Sequence, residues 1–380
     1  MAGIFRRLFT SPETVPAGIY HYQSPSQDPR NYRLHLRVEE DGSSVMIVNA
    51  STVLHLNQTA TEYAYYFVQN QPVETVAQRI SRRYRVEPHQ AAEDYQNLTE
   101  RILTLVEMPD LDPVTFLDFD RKLPYSGKIS APYRLDCAIT YRLPEGADPE
   151  MAPNKRVDRE LSLEEWKTIL DKAWNAGVPH LIFTGGEPTL RDDLRDLIAF
   201  AESLGQVSGL LTDGLRLVDQ PYLDDLLQTG LDHLLIALQP GDTRSWQALR
   251  NALAADIFTA VHLTLTAQNS ADMPGTLKKL AELGTPAVSL STPDPTLRES
   301  LSSLRDQVAA LQMTLVWDLP VPYSKQNPVA FEVPDAEFME GAGRAWLYVE
   351  PDGDVLPAQG VNRILGNLLR DPWATIWKQR

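Results

Sequence analysis

The sequence holds a single cysteine, Cys137, in 380 residues. That excludes an internal disulfide framework, and any zinc or iron–sulfur site built wholly from one chain's cysteines. Long apolar runs are missing too, since none approaches the ~18 to 20 residues a membrane-spanning helix needs. No stable membrane insertion is expected. Positive charge is in deficit: 35 Lys plus Arg stand against 51 Asp plus Glu, a net charge of −16. A chain this acidic is repelled by phosphate backbones, so nucleic acid is not expected as a partner. The first ten residues carry Arg6 and Arg7 but no apolar stretch or small-residue cleavage site. They do not read as a secretory signal, and the expected compartment is the cytoplasm. Ile4, Phe5, Leu8 and Phe9 fall on one face of a short helix, expected to dock onto the protein itself. The seven histidines form no H-x-x-H or H-x-x-x-H pair. No metal site is therefore expected; His180 and His233 near strand starts, and His262 in mid-strand, read as core or surface histidines.

Apolar residues at 43% and charged residues at 23% are those of a soluble globular protein. After an N-terminal segment (residues 1–30), residues 31–106 read as a small α+β unit. Tyr32, Leu34, Leu36 and Val38 alternate with polar residues, Asp41-Gly42 marks a hairpin, and Val45 to Val48 returns. Val53, Leu54 and Leu56 give a third strand. Helical periodicity starts near Thr59; Pro72 and Pro88 open two more helices, striped by Val76, Ala77 and Ile80 and by Ala91, Tyr95 and Ile102. Three strands and three helices of this size make a winged-helix-like domain. Its basic run Arg79, Arg82, Arg83, Arg85 reads as a solvated helix face, because residues 31–106 hold seven Arg against nine acidic residues.

Residues 107–130 are proline-rich without a sustained period and read as a linker. Over 131–325 strand and helix alternate, with strands near 133–140, 179–184, 207–212, 233–239, 258–266, 286–291 and 313–318. Ser162 with Glu165 makes a capping box, and Gly177, Gly205, Gly230 and Gly284 follow helix ends. This pattern predicts an α/β fold, a partial (β/α)6-type TIM-like barrel whose ligands sit at the carboxyl ends of the strands. Residues 326–380 predict a small extension: a hairpin around Trp346 to Leu356, then a helix near Trp373 to Trp377.

Thr184-Gly-Gly-Glu-Pro188 is the sharpest local feature. Two glycines at a strand end let backbone approach a ligand, and a carboxylate can receive an ammonium group. A tight strand-to-helix turn needs the same residues. Further strand ends follow in order: Ile139-Thr-Tyr-Arg142 before this motif, then Leu211-Thr-Asp-Gly-Leu215 and Leu235-Ile-Ala-Leu-Gln239 after it. Taken together this series resembles the radical S-adenosylmethionine (SAM) superfamily. Ala342-Gly-Arg344, Val349 to Pro357 and Leu365-Gly-Asn-Leu368 resemble its SPASM or twitch extension, and the 31–106 unit resembles a PqqD-type peptide-recognition domain.

The resemblance implies a SAM pocket at Gly185, Gly186, Glu187, Pro188, Thr212, Asp213, Gly214 and Gln239. It also implies a C-x3-C-x2-C loop holding a [4Fe–4S] cluster, and there the chain departs from the family. The three cysteine positions fall on Leu143, Ala147 and Glu150, and Glu340 and Ala358 stand where auxiliary-cluster cysteines belong. These side chains do not replace thiolates. The expectation is therefore a catalytically degenerate homologue that needs no cofactor, lacks the cluster, has no catalytic residues, and keeps at most a vestigial site for SAM. It would bind a precursor peptide, or a cluster-bearing radical SAM relative, in a peptide-modification pathway. The peptide would add as a strand along Thr52, Val53, Leu54, His55 and Leu56. The alternatives are an active radical SAM peptide-modifying enzyme with unconventional cluster ligation, or a non-radical SAM-dependent enzyme.

Overall fold

The computed structural model describes residues 15–25, 27–108, 111–117, 119, 122, 126–127, 129–147, 157, 159–321, 327–328 and 341–379. The short helix expected around Ile4 to Phe9 lies outside them, as do Glu150 and Glu340. The chain divides into two compact units, Met1–Ser130 and Ala131–Arg380.

The first unit is built on four antiparallel strands in sequence order: β1 (Gly18–Gln23), β2 (Arg33–Val38), β3 (Ser44–Val48) and β4 (Thr52–Leu56). Helices α1 (Gln58–Val68), α2 (Val73–Tyr84) and α3 (Pro88–Glu107) follow, with a short α4 (Pro113–Leu117). The two-residue period places Leu34, Leu36, Val38, Met46, Val48, Leu54 and Leu56 on one face, against Ala64 and Val68 of α1 and Ile102 and Leu105 of α3. Asn57 caps α1, accepting from the Ala60 amide at 2.9 Å. Within the expected N-terminal segment, strand β1 joins this sheet, pairing with β2 from Gly18↔Val38 to Gln23↔Arg33. Its tyrosines supply the reason: Tyr20 meets Tyr65 edge-on at 4.8 Å, and Tyr22 stacks with Phe67 at 6.3 Å. The segment read as a linker adds to this unit. It carries α4, and Leu111, Leu117 and Phe119 pack onto the same core.

The second unit holds one ten-stranded sheet. Its elements run β5 (Arg134–Thr140), α5 (Leu163–Ala176), β6 (His180–Gly185), α6 (Leu194–Leu204), β7 (Val207–Thr212), α7 (Gln220–Gln228), β8 (His233–Ala237), α8 (Thr243–Ala254), β9 (Phe258–Thr264), α9 (Met273–Glu282), β10 (Ala287–Ser291), α10 (Arg298–Ala310) and β11 (Thr314–Val316). Strands β12 (Trp346–Val349), β13 (Asp354–Leu356) and β14 (Gly366–Asn367) and helix α11 (Trp373–Lys378) complete it. The strand order is β11-β10-β9-β8-β7-β6-β5-β12-β13-β14, so the sheet is an open partial barrel with β11 and β14 at its edges. Parallel pairing runs from β11 to β12. On its inner face Ile182, Leu211, Leu235, Ala260, Ala287 and Val321 form a cluster. The C-terminal hairpin is continuous with the barrel sheet, because β12 pairs with β5 in the register Trp346↔Arg134 to Val349↔Cys137.

One lysine fastens the end of the chain. Lys172 of α5 donates to the carbonyl oxygens of Leu368, Leu369 (3.4 Å) and Asp371 (3.1 Å), the turn that launches α11. Lys172→Met keeps the stem and loses the ammonium. It is expected to lower stability by about 1–2 kcal/mol, and to speed amide hydrogen exchange across 366–378 while leaving β5 to β10 protected.

Candidate functional site

The strand-end motif is first a solution to a close approach. Beyond β5 the chain continues alongside the end of β6: the Gly186 amide donates to Thr140 O at 2.8 Å and the Glu187 amide to Arg142 O at 2.8 Å. A β-carbon on Gly185 would sit 2.0 Å from Thr140 O, and one on Gly186 2.2 Å from Arg142 O. Gly185 also has φ +125°. Both glycines are thus required by backbone meeting backbone.

Glu187 is buried, 3% exposed, and its carboxylate gathers the neighbouring strand ends. Oε1 accepts from the Thr189 amide (2.9 Å), the Thr189 hydroxyl (2.5 Å) and the Thr212 hydroxyl (2.8 Å); Oε2 accepts from the Asp213 amide at 2.7 Å. Pro188 opens the short 3-10 turn Pro188–Leu190 that Glu187 caps. The Gly214 amide donates to Thr212 Oγ1 at 3.0 Å, and the Leu215 amide to Asp213 Oδ1 at 2.8 Å. Burial, then the facing Asp213 carboxyl, pushes Glu187 above the usual carboxylate range; burial does the same to Asp213. A buried and a half-buried carboxyl side by side are both raised because neither meets enough positive charge, which is what an ammonium group supplies.

Seven of the eight residues expected here come together: Gly185, Gly186, Glu187, Pro188, Thr212, Asp213 and Gly214. Gln239 does not join them. It is exposed, its amide donates to Ser245 Oγ at 3.0 Å, and no hydrogen bond links it to the Glu187 network among the described residues.

Two arginines that the motif reading left without a role hold the site in place. Arg191 pairs bidentately with Asp193 (2.8 and 2.7 Å) and donates from Nη1 to Ile139 O and Leu161 O, both at 3.0 Å. Arg216 donates to Thr189 O and lies over the Tyr222 ring at 4.2 Å. The sequence signal for the first was Arg191-x-Asp193, an i,i+2 pair at a helix start.

A second polar cluster lines the inner face at the same carboxyl ends. His262 Nδ1 meets Ser289 Oγ at 3.1 Å, and its Nε2 meets Ser291 Oγ at 3.1 Å and Thr264 Oγ1 at 3.2 Å. Burial pulls the imidazole down to about 3. A base lowered in the fold stabilises it above the ordinary value and loses that contribution as pH falls through 6.5 towards 3. Between pH 7.5 and pH 5, His262 accounts for about 2 kcal/mol of acid destabilisation. His262→Gln is expected to remove that much of the pH dependence, read as the difference in urea-unfolding free energy between the two pH values.

The ligands of a [4Fe–4S] cluster can be tested against the chain directly. Three thiolates are needed; the chain has one, and Cys137 is fully buried within β5, its thiol pushed far up by burial. It alternates with Asp136 and Ala138, and Ala138 is the one that packs beside Tyr141, Tyr348 and Leu356. Leu143 and Ala147 offer no ligand atom, nor does Ala358. The residues do not fit a three-thiolate site, and no step is derived through one. For SAM the fit is different, since the Glu187–Asp213 pair presents acceptor charge to its ammonium group.

In the first unit the expected peptide-binding residues Thr52 to Leu56 form β4, an edge of the four-stranded sheet. Leu54 and Leu56 point into the core, Val53 and His55 to the other face. No helix among the described residues is long and apolar enough to cross a membrane.

An open parallel α/β barrel with a glycine–glycine–glutamate turn at a strand end defines a class of small-molecule-binding domains. A Radical SAM superfamily profile matches residues 137–265. The PqqA peptide cyclase of Streptomyces rochei is 30% identical over 279 residues, 66% of this chain and 76% of that protein. With that likeness, the chain belongs to the radical SAM superfamily. The PqqA peptide cyclase of Xanthomonas campestris pv. campestris strain 8004 is 29% identical over 247 residues, 57% of this chain and 65% of that one. Among solved structures, Streptococcus suis SuiB bound to precursor peptide SuiA superposes with TM-score 0.61 at 15% identity, covering 94% of this chain and 88% of that one. SuiB bound to S-adenosylmethionine gives 0.61 at 16%, with the same coverage.

These findings overturn one expectation. The missing cluster cysteines imply, on sequence, that no cofactor is needed. Membership of the radical SAM superfamily, shown by the family match and the peptide-cyclase relative, contradicts that inference. Three missing thiols bear on the cluster alone, whereas the pocket is built from the ends of β6 and β7.

Proposed function

We propose that this chain binds SAM at the carboxyl ends of β6 and β7 and a precursor peptide along β4, acting in the modification of that peptide. The observation that carries the reading is the Glu187–Asp213 carboxyl pair at the Glu-bearing turn, in a chain 30% identical to a peptide cyclase over two thirds of its length. Glu187 and Asp213 would hold the ammonium group, and Thr189 and Thr212 keep the Glu187 carboxylate aimed. SAM, when bound, supplies an activated sulfonium. The fold likeness to a peptide-bound maturase covers 94% of the chain and so takes in both units, which supports peptide capture by the first. An edge strand offers main-chain hydrogen bonds for affinity, with pockets for alternate side chains.

The chain's own thiol count favours a holding role, in which it binds and presents peptide beside a catalytically competent relative. The family match favours the second reading, an active peptide-modifying enzyme. Calorimetric titration of the full chain with SAM, and with peptides from adjacent short reading frames, tests the proposal. Saturable binding of both is expected, with Leu54→Pro weakening peptide binding and leaving SAM binding unchanged. Absence of SAM binding overturns the pocket assignment. Iron near four per chain after anaerobic reconstitution, with turnover of bound SAM, decides for the enzyme.

A further inference from the structure

At the opposite end of the barrel from Glu187, two histidines 53 residues apart meet over a glycine. β6 begins with His180, β8 with His233, and β7 runs between them. Strand alternation puts His180 on the inner face with Ile182, His233 with Leu235, and Gly209 with Leu211. The His233 ring lies across Gly209, where a β-carbon would come within 2.1 Å of His233 Nε2 and 2.5 Å of its Cε1. With no side chain in the way, the two Nε2 atoms approach to 3.3 Å.

That separation allows a long N–H···N bond in one pair of tautomers. It is also the separation of two nitrogens each ~2.0–2.1 Å from one ion at a tetrahedral angle. The rings are tilted by 60° with centroids 5.0 Å apart, so they are not stacked. Neither Nδ1 has a hydrogen-bond partner among the described residues, so each ring can carry its proton there and leave its Nε2 lone pair free. Burial lowers both imidazoles, His233 to about 4, and keeps them neutral at pH 7. Arg134 is the nearby positive charge, and it is compensated: Nε donates to Asp136 Oδ1 at 2.7 Å, and Nη1 reaches Asp318 Oδ2 at 3.4 Å. Its remaining positive charge still bears on the pair and helps to lower both imidazoles.

We propose that His180 and His233 together form a two-histidine site for a divalent transition-metal ion of the zinc, nickel or copper class, with water completing its coordination. Imidazole nitrogen suits these ions and not calcium or magnesium. The ion would tie β6 to β8 across β7 and so stabilise the amino end of the barrel by mass action. Spacing along the sequence hid the pair, because its members lie on different strands.

Zinc titration of the full, chelator-stripped chain by calorimetry tests this. One equivalent is expected in the wild type, lost in His180→Ala and in His233→Ala. Gly209→Ala keeps both ligands but fills the space between them, and should weaken binding at least tenfold. Glu350→Gln is the control, since Glu350, Asp352 and Asp354 make a separate acidic group with ligand atoms within 4.8 Å of one another; it should leave the equivalent in place. A measurement on the unaltered protein removes dependence on variants that fold poorly. Zinc should protect His180 and His233, located by peptide mass spectrometry, from diethyl pyrocarbonate. Zinc uptake unchanged in both histidine variants, loss of the equivalent in Glu350→Gln alone, or no protection in the wild type overturns the proposal.

Discussion

Gly186→Ala is expected to prevent the second unit from folding. The added carbon would lie 2.2 Å from Arg142 O, 2.9 Å from the Tyr141 carbonyl carbon and 3.0 Å from that of Arg142. All three are backbone atoms, so no rotamer change relieves the overlap. To make room the chain must pull residues 186–187 away from 140–142. That breaks the Gly186–Thr140 and Glu187–Arg142 hydrogen bonds, and carries Glu187 off its four donors. The loss exceeds about 4 kcal/mol, a magnitude reserved for a substitution that breaks a buried network. Gly241→Ala is the matched control, because nothing lies within 4 Å of its β-carbon position. The first should appear as insoluble protein or as collapse of the cooperative urea transition; the second should match the wild type. A soluble, fully stable Gly186→Ala protein would mean that the close approach of β5 and β6 is not what the two glycines serve.

The same residues explain how far the sequence could be read. Strands β5 to β11 were legible because each is a short apolar run between amphipathic helices with marked ends. Ser162 and Glu165 form the expected capping box, and Gly177 and Gly205 take the left-handed conformation that closes α5 and α6. Strand β1 was not legible. Its stability comes from pairing with β2 and from Tyr20 and Tyr22 meeting Tyr65 and Phe67 of α1, each 45 residues further on, which no local period announces. Nor did the motif reveal that Glu187 already accepts four internal hydrogen bonds, because Thr212 and Asp213 lie 25 and 26 residues on. Pattern matching marked the glutamate as a ligand for something outside the protein. The structure adds that it is also the fastener between two strand ends, and the two roles share one carboxylate. The cofactor expectation failed for a related reason: three absent thiols are a local fact, whereas the pocket is assembled from several strand ends.

Substitution at Glu187 separates those roles. Glu187→Ala leaves the Thr189 amide, the Thr212 hydroxyl and the Asp213 amide without their acceptor in a buried site, while also removing the repulsion from Asp213. At about 1–3 kcal/mol for each stranded group, less that relief, a net loss of about 3–4 kcal/mol is expected by urea unfolding. Glu187→Gln behaves differently. Its Oε1 still takes the Thr189 and Thr212 donors, but its amide nitrogen meets the Asp213 main-chain amide donor to donor, so the loss in stability should be about 1–3 kcal/mol. What it gives up is the second negative charge facing a bound ammonium, so SAM affinity should fall at least tenfold, read by calorimetry. The pH dependence carries an independent signature. A carboxyl raised in the fold stabilises it below the ordinary range, and that contribution is lost as pH rises through the folded value. Wild-type stability should therefore carry a downward slope above pH 4.5 that Glu187→Gln flattens. Should the glutamine variant keep full SAM affinity while losing that slope, Glu187 is a fastener alone, and the ammonium must be held by other acceptors at the strand ends.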